Sequence, residues 1–227
     1  MKIAVIPARG GSKRIPRKNI KEFLGIPMIA WAINYARESK IFDHIVVSTD
    51  DDEIRSIAKK YLADYVIDRP SYLADDHTPT VPVIAHAVNW VNEHVGLVKY
   101  ACCIYPCSPL ISVADLISAN MQIVMSQADF VYPVVKYSHP IQRAMNKSVE
   151  GKMKFIMPEH ELTRTQDLEA TYHDAGQFYF GRAAAWIAEK RMHTDGIGIE
   201  IPSWRIVDID TEDDWVRAEI LSRYILA

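Results

Sequence analysis

Short apolar runs alternate with amphipathic helical patterns through roughly the first 135 residues of the chain. The apolar runs predict buried strands at residues 3–6, 45–49, 65–67, 100–105 and 130–135, and the helical patterns predict helices at 27–37, 52–62, 81–92 and 113–125. Strands separated by helices form a parallel sheet through crossover connections, so we predict a doubly wound, mostly parallel, Rossmann-like α/β fold. Ligands bind at the carboxyl ends of such strands, which directs attention to the loops after Ile6, Thr49, Ile67 and Tyr105.

The alternation breaks between residues 136 and 179, where turn residues and polar side chains predict an excursion from the sheet. Residues 150–152 are typical of a hairpin turn, and the sheet pattern returns at 177–181. A strand at 205–207 and a helix at 213–226 are predicted to close the chain. The apolar face of that helix comprises Trp215, Ala218, Leu221 and Ile225. We therefore expect one domain, 1–227, that contains the excursion 136–179.

The composition excludes several classes of protein. A net charge of −3 argues against a general nucleic-acid binder, which would carry a basic excess. Cys102, Cys103 and Cys107 are too crowded for a disulfide framework and lack a fourth donor for a metal, so free thiols in a reducing cytosol are expected. No apolar segment has the length of a membrane helix or a signal peptide, and we expect a cytoplasmic protein with no membrane partner.

A basic, glycine-containing loop follows the first predicted strand. Gly10 and Gly11 are expected to adopt positive φ, to let the backbone approach a ligand closely and to form an anion-binding nest. Five cations in ten residues could neutralise a triphosphate; a solvated basic loop is the alternative. The spacing fits neither a Walker loop nor a dinucleotide fingerprint. The cations are Arg9, Lys13, Arg14, Arg17 and Lys18.

The sequence IPARGGSK at residues 6–13, followed by Lys18 and Asn19, resembles the nucleotide-binding signature of the CMP-sialic acid synthetase family. The resemblance extends over essentially the whole chain and implies a fold like that of the nucleotide-diphospho-sugar transferases. It also implies that CTP is bound through the loop. The implied nucleotide-binding residues here are Ala8, Arg9, Gly10, Gly11, Ser12, Lys13 and Asn19.

Three further segments resemble motifs of that family. In STDD at 48–51, the acidic pair could hold a ribose or a cation, but capping of the following helix is favoured. In the segment 69–80, the resemblance implies that Arg69 and Thr80 contact the base, with an N-cap at Thr80 as the alternative. In YPCSPLI at 105–111, Tyr105 and Ile111 replace the family's Gln and Arg, which argues against ordinary sialic acid as the acceptor.

Asp208 and Asp210 follow the predicted strand at 205–207. In an extended chain the two carboxylates share one face while Ile209 points to the core, and two hard oxygen donors suit Mg²⁺. The resemblance implies the same metal role. An EF-hand is excluded because Asp213 stands where that loop requires Gly, and the phosphatase motif D-x-D-x-T is not met. An acid-rich helix N-terminus is the remaining alternative.

The reaction implied by the resemblance is attack of a sugar's anomeric hydroxyl on the α-phosphate of CTP, which expels pyrophosphate. Positioning and charge neutralisation would supply the catalysis, with Asp208 or Asp210 as candidates for the general base. The implied catalytic residues are Arg9, Lys13, Lys18, Asp208 and Asp210.

The polar segments SHPIQR at 138–143, RTQDLE at 164–169 and YHDAGQFY at 172–179 resemble the branch of the family that activates pseudaminic acid. That branch implies flagellin glycosylation or cell-surface polysaccharide synthesis, and a homodimer whose neighbouring subunit completes the site for a nine-carbon acidic sugar. Alternatives are sialic, legionaminic or keto-deoxy octonic acid, or a non-catalytic nucleotide-binding module. The expected sugar-binding residues are Tyr105, Gln142, Arg143, Arg164, Tyr172, His173, Asp174, Gln177 and Tyr179.

Overall fold

An eight-stranded sheet runs through the centre of the protein in the computed structural model, which describes residues 1–226. The strands of the chain are β1 (Lys2–Pro7), β2 (Glu22–Phe23), β3 (Ile26–Pro27), β4 (His44–Thr49), β5 (Tyr65–Asp68), β6 (Tyr100–Ile104), β7 (Phe130–Lys136), β8 (Met145–Lys147), β9 (Met153–Phe155), β10 (Tyr172–Asp174), β11 (Phe178–Arg182) and β12 (Gly196–Glu200). The helices are α1 (Met28–Ser39), α2 (Asp52–Lys60), α3 (Thr80–His94), α4 (Val113–Met125), α5 (Ala183–Ile187) and α6 (Glu212–Leu226).

The strand order in the sheet is β10-β7-β11-β6-β1-β4-β5, and β12 pairs with β7. The neighbours β6, β1, β4 and β5 are parallel, whereas β11 is antiparallel to both β6 and β7. The predicted mostly parallel α/β fold is therefore confirmed, and β10 and β11 are the strands that run in the opposite direction.

Both faces of the sheet are covered by helices, as a parallel sheet requires. Along β1, Ala4 and Ile6 pack into a core shared with α1, α2 and α4. Ile3 and Val5 pack into the opposite core with α3 and α5. All four residues are buried, which explains why this strand is continuously apolar in sequence. Its carboxyl end, and those of β5 and β6, open onto one edge.

The predicted strand at 205–207 is wrong. Residues Ser203–Arg205 form a single 3₁₀ turn, Ile206 is extended, and residues 206–210 belong to no paired strand. The sequence pattern alone does not distinguish an extended segment from a paired strand, because pairing depends on a partner distant in the chain. On α6, Trp215 and Ala218 are buried as predicted, together with Ser222, while Ile225 is exposed.

The short hairpin of β2 and β3 was not predicted, and neither were α5 and β12. Strand β12 contains Gly196 and Gly198, which lower its strand propensity in sequence. A Cβ at Gly196 would lie 2.4 Å from the ring of Tyr132, and one at Gly198 would lie 2.8 Å from Val134. The glycines therefore serve the close approach of β12 to β7, which is a tertiary requirement.

The excursion contains the predicted hairpin. Strands β8 and β9 pair across residues 148–152, and Gly151 adopts a φ of +84° in the turn. The chain rejoins the sheet at Tyr172, earlier than predicted, because β10 pairs antiparallel with the end of β7. Among residues 1–226, no helix has the length and apolarity needed to cross a membrane.

Candidate active site

A cavity of about 680 Å³ opens at the carboxyl ends of β1, β5 and β6. The loops after β1, β5 and β6 line it as predicted, whereas the loop after β4 does not. The segment after β10 and the segment before α6 complete the wall. The predicted site residues that line it are Arg9, Ser12, Lys13, Lys18, Asn19, Arg69, Thr80, Tyr105, His173, Asp174 and Asp208.

Four of the five loop cations line this cavity, and acidic side chains pair with each of them. Arg9 contacts Asp76 at 2.9 Å, and Lys13 pairs with the same carboxylate. Arg9 also donates to the carbonyl of Asp75 at 2.6 Å. Arg14 and Lys18 pair with a second carboxylate, that of Asp210. These cations are concentrated on the loop after β1, which suits a polyanionic ligand, although the lining of the cavity also contains Asp75, Asp76, Asp174 and Asp208.

The fifth cation, Arg17, does not line the cavity. Its φ of +57° turns the chain so that the guanidinium faces α2, where it pairs with Asp51 at 2.5 and 2.9 Å and with Glu53. Asp51 also accepts hydrogen bonds from the backbone of Glu53 and Ile54, which confirms that it caps α2. The hydrogen bonds from Arg17 are the main cause that lowers the pKa of the Asp51 carboxyl to about 2.

The conformation expected of the two glycines is wrong, because neither Gly10 nor Gly11 adopts a positive φ. Gly10 instead allows a close approach to another part of the protein: a Cβ there would lie 2.6 Å from Asp51 Oδ2. The expected anion nest is interrupted. The Gly10 amide donates to Asp50 at 3.0 Å, and the Ser12 amide donates to the Gly10 carbonyl. Ala8, also predicted to bind nucleotide, is fully buried in the core.

Arg69 is a buried cation at the base of the cavity. Its guanidinium donates to the Ser48 carbonyl at 2.7 Å and to the Ser48 hydroxyl at 3.3 Å. Burial lowers its pKa to about 10, and the nearby charge of Arg9 acts in the same direction. The predicted alternative for Thr80 is wrong: Pro79 holds the N-cap position of α3, and the Thr80 hydroxyl shares a 2.6 Å hydrogen bond with Tyr105.

Around Ile209, which is buried as predicted, Asp208 is exposed and lines the cavity, whereas Asp210 is partly buried and does not line it. Lys18 fastens this segment to the basic loop through a 2.5 Å hydrogen bond to the Ile209 carbonyl. Asp210 is engaged by Arg14 and Lys18, whereas Asp208 has no ion pair within residues 1–226. In that same part of the chain, no cluster of three or more His, Cys, Asp or Glu forms a metal cage.

The opposite wall carries Asp174, whose carboxylate accepts from the Tyr179 hydroxyl and from His193, each at 2.7 Å. His173 lines the cavity, and its ring packs against Tyr137 at 4.8 Å. Gln177 does not line the cavity. It is buried and donates to the carbonyl of Arg205 at 2.6 Å, so it anchors the segment that leads to Asp208.

The other predicted sugar-binding residues lie on the excursion outside the cavity. Gln142 donates to the Glu169 carbonyl, and Arg164 pairs with Asp167. Arg143 and Tyr172 are exposed. Their contact with a sugar stays a prediction that this single chain does not test.

Several residues in the cavity or directly behind its wall were missed in the sequence. Asp76 stands in a quoted motif, but nothing in the spacing connects it to cations more than sixty positions earlier. His193 lies in the unpredicted region between α5 and β12. Cys102 and Cys103 are buried free thiols as predicted, whereas Cys107 lines the cavity. Its thiol donates to Asn19 at 3.2 Å, and burial raises its pKa to about 12, so it stays protonated.

An open, mostly parallel sheet with a cavity at its strand ends, lined on one side by a basic loop, defines an α/β protein suited to nucleotide phosphates. Two solved structures share this fold. A CMP:2-keto-3-deoxy-manno-octonic acid synthetase complexed with CTP has a TM-score of 0.73 at 15% identity, with 99% of each chain covered. A 4-diphosphocytidyl-2C-methyl-D-erythritol synthase from Anaerococcus prevotii DSM 20548 has a TM-score of 0.64 at 12% identity, covering 100% of this chain and 96% of the other. At these identities the likeness supports the fold alone.

The family follows from the sequence. Residues 3–199 match the family model described as Cytidylyltransferase. A pseudaminic acid cytidylyltransferase of Campylobacter jejuni subsp. jejuni serotype O:23/36 (strain 81-176) is 38% identical over 220 residues, covering 96% of this chain and 95% of the relative. N-acylneuraminate cytidylyltransferase B of Danio rerio is 31% identical over 217 residues, covering 95% of this chain and 50% of that protein. The chain belongs to the cytidylyltransferase family and is a nucleotidyltransferase, which confirms the resemblance read from its motifs.

Proposed function

We propose that this enzyme transfers the CMP group of CTP to pseudaminic acid and releases pyrophosphate. The anomeric oxygen of the sugar forms a bond to the α-phosphorus, and the bond from that phosphorus to the β-phosphate oxygen breaks. Pyrophosphate leaves with the electron pair, and the anomeric proton passes to a base or to water.

One observation carries the proposal: the basic loop and the Asp174 segment form opposite walls of the same cavity. Arg9 and Lys13 stand on the wall suited to phosphates, and Asp174 stands on a wall of hydrogen-bonding groups suited to a sugar. A nucleotide and a sugar bound to these walls would meet inside the cavity, which is the arrangement that a direct transfer needs.

The choice of sugar is supported by the similarity to the Campylobacter enzyme, which covers nearly the whole of both chains. Tyr105 also supports it. Its hydroxyl is held by Thr80 and its ring packs against Tyr179 at 5.5 Å, so Tyr105 lies between the two walls. A ring fixed there would limit the shape of the sugar that reaches the α-phosphate.

The basic residues would act by neutralising phosphate charge. Arg9 and Lys13 share one carboxylate, that of Asp76, so a bound triphosphate would replace this carboxylate as the partner of the two cations. Exposed ion pairs contribute about 0–1 kcal/mol, so their exchange costs little compared with charge-assisted bonds to phosphate. Asp208 is the better candidate for the base, because the carboxylate of Asp210 is occupied by Arg14 and Lys18.

Mg²⁺ is part of the proposal as a companion of the nucleotide. The donor set fits an ion held by one or two carboxylates together with phosphate oxygens and water, rather than a complete protein cage. Asp208 would hold the ion. Asp210 would also bind it if its ion pair with Arg14 were broken. Such an ion would neutralise charge developing on the phosphates.

A homodimer is proposed from the excursion. Five large apolar side chains between residues 145 and 162 of this segment are exposed, and a group of exposed apolar side chains marks an interaction surface. A second copy that covers them could bring its own Arg143 or Arg164 to the sugar. Light scattering of the purified protein checks the dimer, and Leu162→Glu should weaken it. The exposed residues are Met145, Val149, Met153, Ile156 and Leu162.

The test of function is pyrophosphate release from CTP with pseudaminic, legionaminic, sialic and keto-deoxy octonic acids supplied separately. A clear preference for pseudaminic acid is expected. Preference for another of these sugars would refute the acceptor assignment, and CTP binding without turnover of any sugar would indicate a non-catalytic module. Cell fractionation checks the predicted cytoplasmic location.

Asp208→Asn is the matched test of the site. A loss of about 100-fold or more in kcat is expected for removal of a group that stabilises charge or accepts the proton. Asp213→Asn makes the same change in charge five residues away, on an exposed position of α6 outside the cavity, and should leave kcat unchanged. Equal activity of the two variants would remove Asp208 from the mechanism.

A further inference from the structure

The carboxylate of Asp174 is surrounded by three donors. Oδ2 accepts from the Tyr179 hydroxyl and from His193 Nε2, both at 2.7 Å, while Oδ1 accepts from the Gly176 amide at 2.7 Å. A carboxylate has about four acceptor positions, so one remains for a ligand in the cavity that Asp174 lines.

Two of the three donors are fixed by the fold, one in the core and one in a turn. Tyr179 lies on β11 and is buried, and burial together with the neighbouring Tyr105 and Asp174 raises its pKa well above the ordinary value. Its phenol therefore stays protonated and donates. The Gly176 amide belongs to a turn in which Gly176 has a φ of +63°, a conformation that favours glycine.

The third donor, His193, reaches the carboxylate from the segment between α5 and β12. Its ring contacts Tyr132 edge-on at 5.0 Å and Tyr179 at 6.1 Å, so two aromatic rings orient it. His193 does not line the cavity, and its side chain is 54% exposed. His193 therefore contacts Asp174 from outside the cavity and would not itself contact a ligand bound there.

We propose that His193 is a positioning residue of the sugar subsite: it holds the Asp174 carboxylate so that its remaining acceptor position receives an N–H or O–H donor of the acidic sugar. This rests on the proposed function, because it assigns the Asp174 wall to the sugar. A carboxylate fixed by three donors distinguishes a sugar that presents a donor at that point from one that presents an acceptor, since the acceptor would be left unpaired against a negative charge.

The experiment compares His193→Ala with His193→Gln, which retains an N–H donor. With the acidic sugar that the wild type prefers, His193→Ala should raise the KM for sugar about tenfold, the effect of weakening one charge-assisted hydrogen bond. The KM for CTP and the melting temperature should stay near the wild-type values, and His193→Gln should recover most of the sugar affinity.

His94→Ala is the control for loss of a histidine that packs against an aromatic ring. His94 stacks on Trp90 at 4.5 Å on α3, outside the cavity, and its replacement should leave both KM values unchanged. In an Asp174→Asn background, His193→Ala should add less than about a twofold change, because its effect passes through that carboxylate.

The inference is overturned if His193→Ala leaves the KM for sugar unchanged. It is also overturned if the KM for CTP rises by the same factor as the KM for sugar and the melting temperature falls, because that result indicates a general structural defect. Preference of the wild type for a sugar other than pseudaminic acid would refute only the acceptor assignment, and the comparison of variants would then be made with that sugar. Absence of turnover with every acidic sugar would refute both.

Discussion

Replacing Gly10 with alanine would place a methyl group against Asp51, at 2.6 Å from Oδ2, 3.0 Å from Cβ and 3.1 Å from Cγ. Asp51 cannot move aside easily. Its carboxylate is held by two hydrogen bonds from Arg17 and by two backbone amides at the start of α2. The methyl group must therefore displace the basic loop, break part of this set of bonds, or both.

The cost can be estimated from that contact. Overpacking by one methyl group typically costs about 1–3 kcal/mol, and the four bonds on Asp51 place the expected loss of unfolding free energy in the upper half of that range. Arg9 directly precedes Gly10, so displacement of the loop also moves a guanidinium that we propose binds phosphate. A misplacement approaching 1 Å can cost about 100-fold, and we expect kcat/KM for CTP to fall by about 10- to 100-fold.

Gly11→Ala is the matched control, because a Cβ there has no atom within 4 Å and Gly11 does not require a positive φ. Reduced flexibility of the unfolded chain should leave it neutral or more stable by up to about 1 kcal/mol. Urea unfolding and CTP kinetics on both variants make the comparison. In a Gly10→Ala background, Asp51→Ala should cost less than it does alone, because the Oδ2 and Cγ contacts disappear. Equal stability and activity of Gly10→Ala and Gly11→Ala would refute the reasoning.

Three further predictions concern single contacts. Because the folded-state pKa of Asp51 is about 2, below its ordinary value near 4, its pairing with Arg17 stabilises the fold above about pH 4 and is lost as pH falls through 2. Both side chains are partly exposed, so we expect the pair to contribute about 1 kcal/mol to the free energy of unfolding. Asp51→Asn, which still caps α2, should make the unfolding free energy measured in urea depend less steeply on pH between about pH 2 and 4. Arg69→Met should raise the KM for CTP about tenfold in steady-state assays, and an unchanged KM would remove Arg69 from the nucleotide site. Tyr105→Phe removes the hydroxyl that Thr80 holds, and should lower the enzyme's discrimination among acidic sugars about 3- to 10-fold in competition assays; unchanged selectivity would contradict the role of that ring.

The parallel half of the fold could be predicted because its signals are local. Residues 3–6 of β1 and 45–47 of β4 form continuous apolar runs. The helices that follow show their own periodicity and capping residues, such as Asp51 at the start of α2. The family motifs are also local, since the loop after β1 is contiguous in sequence. These features depend on residues within a few positions of each other, so a single sequence contains them.

The pairing of distant charges could not be predicted. Arg9, Lys13, Arg14, Arg17 and Lys18 appear in sequence as one basic set, yet the fold divides them among acids from three other segments. The direction of Arg17 depends on its positive φ, and the partners of the other cations depend on which loops meet at the sheet edge. Neither property is encoded by spacing alone.

The basic loop, the D-x-D pair, the fold class and the family were determined by the sequence itself, because residue type and short spacing define each of them. The tertiary structure decided what the glycines are for, which cations reach the cavity and what stands behind Asp174. Gly10 is required by the approach of Asp51 from the start of α2, and Asp174 is held by His193 from a segment that shows no pattern of its own. Both are contacts between parts of the chain that are adjacent only after the sheet has formed.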